Sequence, residues 1–168
     1  MKKNKGYTLA ELLVIIAIIG ILISLTSYTI TRVINASRNN IKEQELNSLM
    51  DAGKSYINTV IDGEDTYSFT SGNYSGYDFI LYLVNNCLSE STKKCDKSTD
   101  VNTGEITVSL EVPMASLKEY IDEDKYNVGF CGMHSSIIIN KNSNGYYVID
   151  GVDIKKDATT SAKKCVKS

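Results

Sequence analysis

Apolar and polar residues are segregated along this chain rather than mixed. Residues 1–6 are basic, with Lys2, Lys3 and Lys5, and residues 12–23 form an unbroken apolar run. The apolar stretch 9–30 is long enough for one membrane crossing, which takes roughly 20 residues of helix. Beyond Arg32 the chain turns polar, yet apolar residues keep recurring at helical spacing: Ile34, Ile41, Leu46, Leu49, Met50, Gly53, Tyr56, Ile57, Val60 and Ile61. Arg38, Lys42, Glu43, Asn47, Asp51 and Lys54 fall on the opposite face. No proline interrupts residues 7–61. The pattern therefore predicts one continuous helix about 80 Å long, at about 1.5 Å per residue. A globular monomer cannot bury such a helix. Its first half must lie in lipid or against other copies, while its amphipathic second half can pack on a sheet of its own chain.

The Asp62-Gly63-Glu64-Asp65 run ends the helix, and residues 62–77 read as a Gly-, Ser- and Tyr-rich loop. The apolar block 78–85 reads as a short helix capped by Ser75 or Asp78, although its length does not exclude a strand. Residues 93–103 read as a loop. In residues 106–112, Ile106, Val108, Leu110 and Val112 alternate with polar residues, the signature of a half-buried strand. Pro113 ends it, and Ser116-x-x-Glu119 reads as a capping box for a short helix. Residues 136–140 and 146–150 are two more strands, joined by a hairpin ending Asn144-Gly145. The predicted fold is α+β: a long N-terminal helix, transmembrane in its first half and amphipathic in its second, packed on a head of three or four antiparallel strands.

Charge and cysteines refine this picture. The formal charge of −2 becomes −5 if the three lysines of residues 1–6 are removed. A mildly acidic body argues against direct nucleic-acid binding, which needs a basic face. Lys155, Lys156, Lys163, Lys164 and Lys167 gather near the C-terminus, where they read as a solvated tail. Cys87, Cys95, Cys131 and Cys165 all follow the apolar segment. An even count outside the cytoplasm points to two disulfides. Of the three possible pairings, Cys87–Cys95 closes a short loop and Cys131–Cys165 pins the C-terminal tail, so these are favoured. Spacing alone does not decide.

Glu11 is the anomaly. A carboxylate just inside an apolar helix is costly in lipid, and such residues are usually paired and functional. A secretory signal explains the basic start and apolar core, but no small-x-small cleavage site follows the core before Ile34-Asn35-Ala36, beyond Arg32. A plain signal anchor explains the length and leaves Glu11 without purpose. Cleavage between Gly6 and Tyr7 would instead create an α-amino group at Tyr7, cationic near neutral pH. Glu11 of one helix could then neutralise the amine of the next and fix their axial register, since a paired charge is tolerable where an isolated one is not. The local alternative is that Glu11 sits at a helix N-terminus, where the dipole favours an anion.

Lys5-Gly6-Tyr7-Thr8-Leu9-Ala10-Glu11-Leu12, followed by Ala17-Ile18-Ile19-Gly20-Ile21-Leu22, closely resembles the signal and first helix of type IV prepilins and pseudopilins. The resemblance covers about 25 residues. It implies a pilin-like chain divided into a leader at 1–6, a helix at 7–61 with an assembly segment at about 9–30, and an extracytoplasmic head at 62–168. It implies cleavage after Gly6 by a prepilin peptidase, N-methylation of Tyr7, a role for Glu11 in assembly, and loosening of the helix at Gly20. Phenylalanine is commoner at the position of Tyr7, and Tyr28 stands where many members carry a proline. The implied partners are copies of itself, other pilins, the assembly machinery and membrane lipid. The basic residues before the span place the N-terminus in the cytoplasm and the head outside, later in a surface or periplasmic filament. The expected function is a structural subunit of a type IV pilus, competence pilus or secretion pseudopilus. The alternative is a membrane-anchored or exported extracellular binding domain.

Other chemistry is weakly supported. Cys131-x-x-His134 has metal-ligand flavour but lacks a second close ligand pair. Asp122, Glu123 and Asp124, and Asp150, Asp153 and Asp157, do not have calcium-loop spacing. No nucleophile-elbow, dinucleotide or phosphate-loop motif is present. The expectation is no metal, no cofactor and no catalytic residue. Tyr67, Tyr74 and Tyr77 are candidates for an adhesive loop.

Overall fold

The computed structural model describes residues 7–87 and 95–167, with the side chains of 25–28 also outside the description. The leader, including Gly6, and Lys93 therefore lie outside the described residues. Helix α1 runs Leu9–Asp62 without a break, as the periodicity and the absence of proline predict. The chain divides into two compact units, Met1–Ile41 and Lys42–Ser168.

In the first unit, the described apolar side chains of α1 are exposed, from Leu12 through Ile23 and on to Ile30, Val33, Ile34 and Ile41. Its most apolar window has a mean hydropathy of 2.7, so this helix is long and apolar enough to cross a membrane. Ile34 and Ile41 belong to this uncovered stretch. The stripe that packs on the head starts later than the sequence pattern implies, at Leu46.

The second unit is built around Leu46, Leu49, Tyr56, Ile57 and Val60 of α1, all nearly or fully buried, while Asn47, Asp51 and Lys54 stay exposed. Four antiparallel strands, β3 (Cys95–Thr99), β4 (Ile106–Glu111), β5 (Met133–Lys141) and β6 (Tyr147–Lys156), pair in the order β3-β4-β5-β6. Val108, Leu110, Met133, Ile137 and Ile139 are fully buried on one face of this sheet. Ser109, His134, Ser136, Ile138 and Asn140 lie on the other. Helix and sheet meet closely at Gly53, where a Cβ would stand 3.5 Å from Val112, 3.8 Å from Met133 and 3.9 Å from Ile154. A methyl group fits there, but any larger side chain would push the layers apart.

The structure corrects several sequence expectations. Residues 62–77 are not one loop. They hold the hairpin β1 (Tyr67–Phe69) and β2 (Gly72–Tyr74), registered Ser68 to Asn73. Its aromatics turn inward: Tyr67 is 2% exposed and lies 4.5 Å from Phe69 between ring centroids, and Tyr74 stacks 4.3 Å from Tyr82. Tyr67 is core and Tyr74 is half-buried against it, so neither makes a free adhesive loop; of the three only Tyr77 is exposed. Helix α2 (Gly76–Asn86) confirms the helical reading, with Ser75 at the cap position but no side-chain capping bond. Strand β3 lies within a predicted loop. Strand β6 runs six residues past Asp150, because Asp150 is bulged out between Ile149, opposite Ile139, and Gly151, opposite Ile138. Ser116 caps no helix, since Met114–Leu117 is one 3-10 turn entered from Pro113. The β5–β6 connection spans residues 142–146 with Gly145 at φ 85°, and Asn142 Oδ1 accepts from the amides of Asn144 and Tyr146.

Two buried phenols lean on α1 and its exit. Tyr56 donates to the Thr66 carbonyl at 3.0 Å, and Tyr126 donates to the Glu45 carbonyl at 3.2 Å. Burial raises the pKa of both above the ordinary 10.0. Both therefore ionise later in the folded chain than in the unfolded one, so their stability contribution is complete below pH 10 and shrinks above it. The expected result is a urea midpoint that falls as pH rises above about 10, with a smaller fall in Tyr56→Phe.

Candidate processing and assembly site

The site begins at Tyr7, 79% exposed, and Thr8, just ahead of the first turn of α1. Glu11 Oε2 accepts from the Thr8 amide at 2.8 Å and from Thr8 Oγ1 at 3.0 Å. In return, the Glu11 amide donates to Thr8 Oγ1 at 3.3 Å. Thr8-Leu9-Ala10-Glu11 is a reciprocal capping box, in which each side chain satisfies a backbone donor that the helix start leaves open. The spacing was legible in the sequence and was missed, because Glu11 was read only toward a neighbouring chain or the helix dipole. The local partner is Thr8. Both bonds fall on Oε2. Tyr7, Ala10, Glu11, Val14 and Ile15 line a mostly apolar groove of about 390 Å³ around this carboxylate. The arrangement fixes a carboxylate in an apolar setting, with an exposed aromatic one turn away.

Gly20 lies within the unbroken helix, with open space where a Cβ would stand. Thus nothing in the single chain requires glycine there.

The four cysteines form two bonds, Cys87–Cys95 and Cys131–Cys165. The first ties the C-terminal end of α2 to the start of β3. The second ties the segment before β5 to α3 (Ala162–Cys165). Cys131 is thereby unavailable as a ligand or nucleophile beside His134. His134 is neither a loop nor a core residue: it sits half-exposed on β5, with Nδ1 2.5 Å from Asp157 Oδ1. Asp157 is held in turn by its amide, which donates to the Gly132 carbonyl at 3.1 Å. A Cβ at Gly132 would collide with the Asp157 carboxylate, so glycine makes room for the acid. Asp122 caps a short turn through the Asp124 amide at 3.2 Å, and Asp150 accepts from Asn140 at 2.7 Å. Among the described residues, no three His, Cys, Asp or Glu side chains converge as metal ligands.

Residues 1–27 match the family model of the prokaryotic N-terminal methylation motif. That span contains the basic residues 1–6, Tyr7, the capping box and the apolar run through Ile23. No curated protein and no solved structure matches the chain. The chain thus carries the N-terminal signal of a type IV pilin-like or pseudopilin precursor.

Proposed function

We propose that this chain is a structural subunit of an extracytoplasmic filament, trimmed by a prepilin peptidase between Gly6 and Tyr7, methylated at Tyr7, and assembled through α1. The observation that carries this reading is the N-terminal methylation motif standing directly on a helix whose apolar residues are uncovered. Lipid covers those side chains before assembly, and the helices of other copies replace lipid afterwards. Cleavage leaves an α-amino group at Tyr7, and the Glu11 carboxylate of an adjacent helix is the group that neutralises it. The head lies outside the membrane, where Cys87–Cys95 and Cys131–Cys165 form in an oxidising compartment. The subunit has no catalytic residue of its own. The chemistry is performed on it.

Mass spectrometry of the mature chain tests this. The expected N-terminal residue is methylated Tyr7, with the six-residue leader gone. A mature chain beginning near Ser37, or one keeping its leader in cells with an active processing peptidase, rejects the reading.

A further inference from the structure

The second unit carries two exposed features that the methylation motif does not explain. One is a knob. Val128 and Phe130, in a 3-10 turn, are 52% and 57% exposed. This turn is tied to α3, because Asn127 donates from its amide to the Cys165 carbonyl at 2.7 Å and from Nδ2 to the Lys164 carbonyl at 2.9 Å. Lys163 and Lys164 are therefore beside the apolar turn, and both are exposed. The Lys167 amide bonds to the Lys125 carbonyl, which adds Lys167 to this corner, while the Lys125 ammonium is paired with Asp122 at 3.9 Å. Lys163 and Lys164 make no ion pair among the described residues.

The other feature is a cleft of about 670 Å³ with Thr59, Ala115, Ser116 and Tyr120 among its lining residues. Glu64, Asp65 and Glu119 contribute carboxylates to its wall, and none pairs with a cation among the described residues. Lys118 also lines it, but its ammonium is occupied by Glu123 at 3.2 Å. The cleft is thus an acidic recess with an aromatic ring in it.

Knob and cleft sit at different levels of α1. The knob side is anchored where Tyr126 meets Glu45, and the cleft side where Tyr120 Oη lies 3.0 Å from Thr59 Oγ1. Those two residues are about 20 Å apart along the helix axis. A basic apolar surface at one level and an acidic recess at another cannot close on themselves within one head. They are complementary between copies.

We propose that the Val128–Phe130 knob of one subunit docks in the acidic cleft of a second copy, with Lys163 and Lys164 facing Glu64 and Glu119. The contact is heterologous, so it propagates from copy to copy instead of closing a two-fold dimer, as a helical filament requires. A free polyanion fits the knob less well, because it offers no apolar surface to the exposed Val128 and Phe130, whereas the cleft presents Ala115 and the Tyr120 ring. This inference rests on the filament reading above, and adds a head-to-head contact to assembly through α1.

Charge reversal in the full-length chain tests it. Lys163→Glu with Lys164→Glu, and separately Glu64→Lys with Glu119→Lys, should each lower sheared-filament yield about tenfold, since like charges facing across an interface are strongly unfavourable. Combining all four should restore most of the yield. Both disulfides should remain intact in every variant, as read by thiol labelling, which excludes misfolding as the cause. Phe130→Cys on one copy mixed with Ala115→Cys on another should give reducible dimers in filaments. Wild-type yield from both reversals, or no rescue on combination, overturns the contact while leaving the filament reading standing. Unchanged yield with lost binding of single-stranded DNA by the lysine variant overturns it too, and assigns the knob to a polyanion. A wild-type chain that is never cleaved after Gly6 rejects the filament reading and this contact with it.

Discussion

Glu11→Ala is expected to leave membrane insertion intact and reduce filament yield by about two orders of magnitude, because removing one partner of a desolvated ion pair costs about 3–5 kcal/mol. The capping box makes a sharper experiment possible. Glu11 accepts two bonds from Thr8 within its own chain, and in the proposed filament it would also neutralise the amine that cleavage exposes on the next copy. Glutamine at the third helical position still closes a capping box but carries no charge. Glu11→Gln should therefore keep the helix start and lose assembly almost as fully as alanine. Thr8→Val does the converse: it removes the hydroxyl, keeps the carboxylate, and should cost only about 1 kcal/mol of local helix stability. If Thr8→Val abolishes filaments and Glu11→Gln does not, the carboxylate acts through the cap and the intermolecular pair is wrong. Membrane fractionation and counts of sheared filaments read both outcomes.

The second large effect is on the stability of the head. Replacing Cys131 and Cys165 together by serine should lower the free energy of unfolding by about 3–4 kcal/mol, the loop-closure value for a bond spanning 34 residues. The same change at Cys87 and Cys95, only 8 residues apart, should cost less by about 1 kcal/mol. Urea unfolding of the two double variants separates them. Equal losses would mean that strain or denatured-state structure, rather than chain entropy, governs these bonds.

Much of this architecture can be read from the sequence because each long element repeats one signal many times. Helix α1 has buried positions at Leu46, Leu49, Tyr56, Ile57 and Val60 and no proline, and β4 alternates Ile106, Val108 and Leu110 with polar residues. The missed elements lack that repetition. Strand β3 is an edge strand of Cys-Asp-Lys-Ser-Thr in which only Cys95 is buried, so its composition is that of a loop. The β1–β2 hairpin has three residues per strand, too few to show a period. Strand β6 looked finished at Asp150-Gly151, where a bulge absorbs an extra residue and the pairing resumes. At the N-terminus, the motif that holds Gly6, Tyr7 and Glu11 is legible in the sequence, and the methylation-motif family model matches residues 1–27. The Thr8–Glu11 cap has its spacing in the same letters, but a glutamate at that place serves a local cap and an intermolecular pair equally well, so the pattern alone does not assign its partner. The cleft was invisible beforehand because Thr59, Glu64 and Glu119 meet only after folding.

The Cys131–Cys165 bond has a mechanical consequence. A fully stretched chain gains about 3.4 Å per residue, so the 34-residue separation locked behind this bond withholds about 115 Å of slack from a head under load. Strands β5 and β6 lie wholly inside that loop. Tension transmitted along the backbone passes through sulfur and bypasses them, so a filament built from such heads can be pulled without paying out the longest hairpin of its subunits.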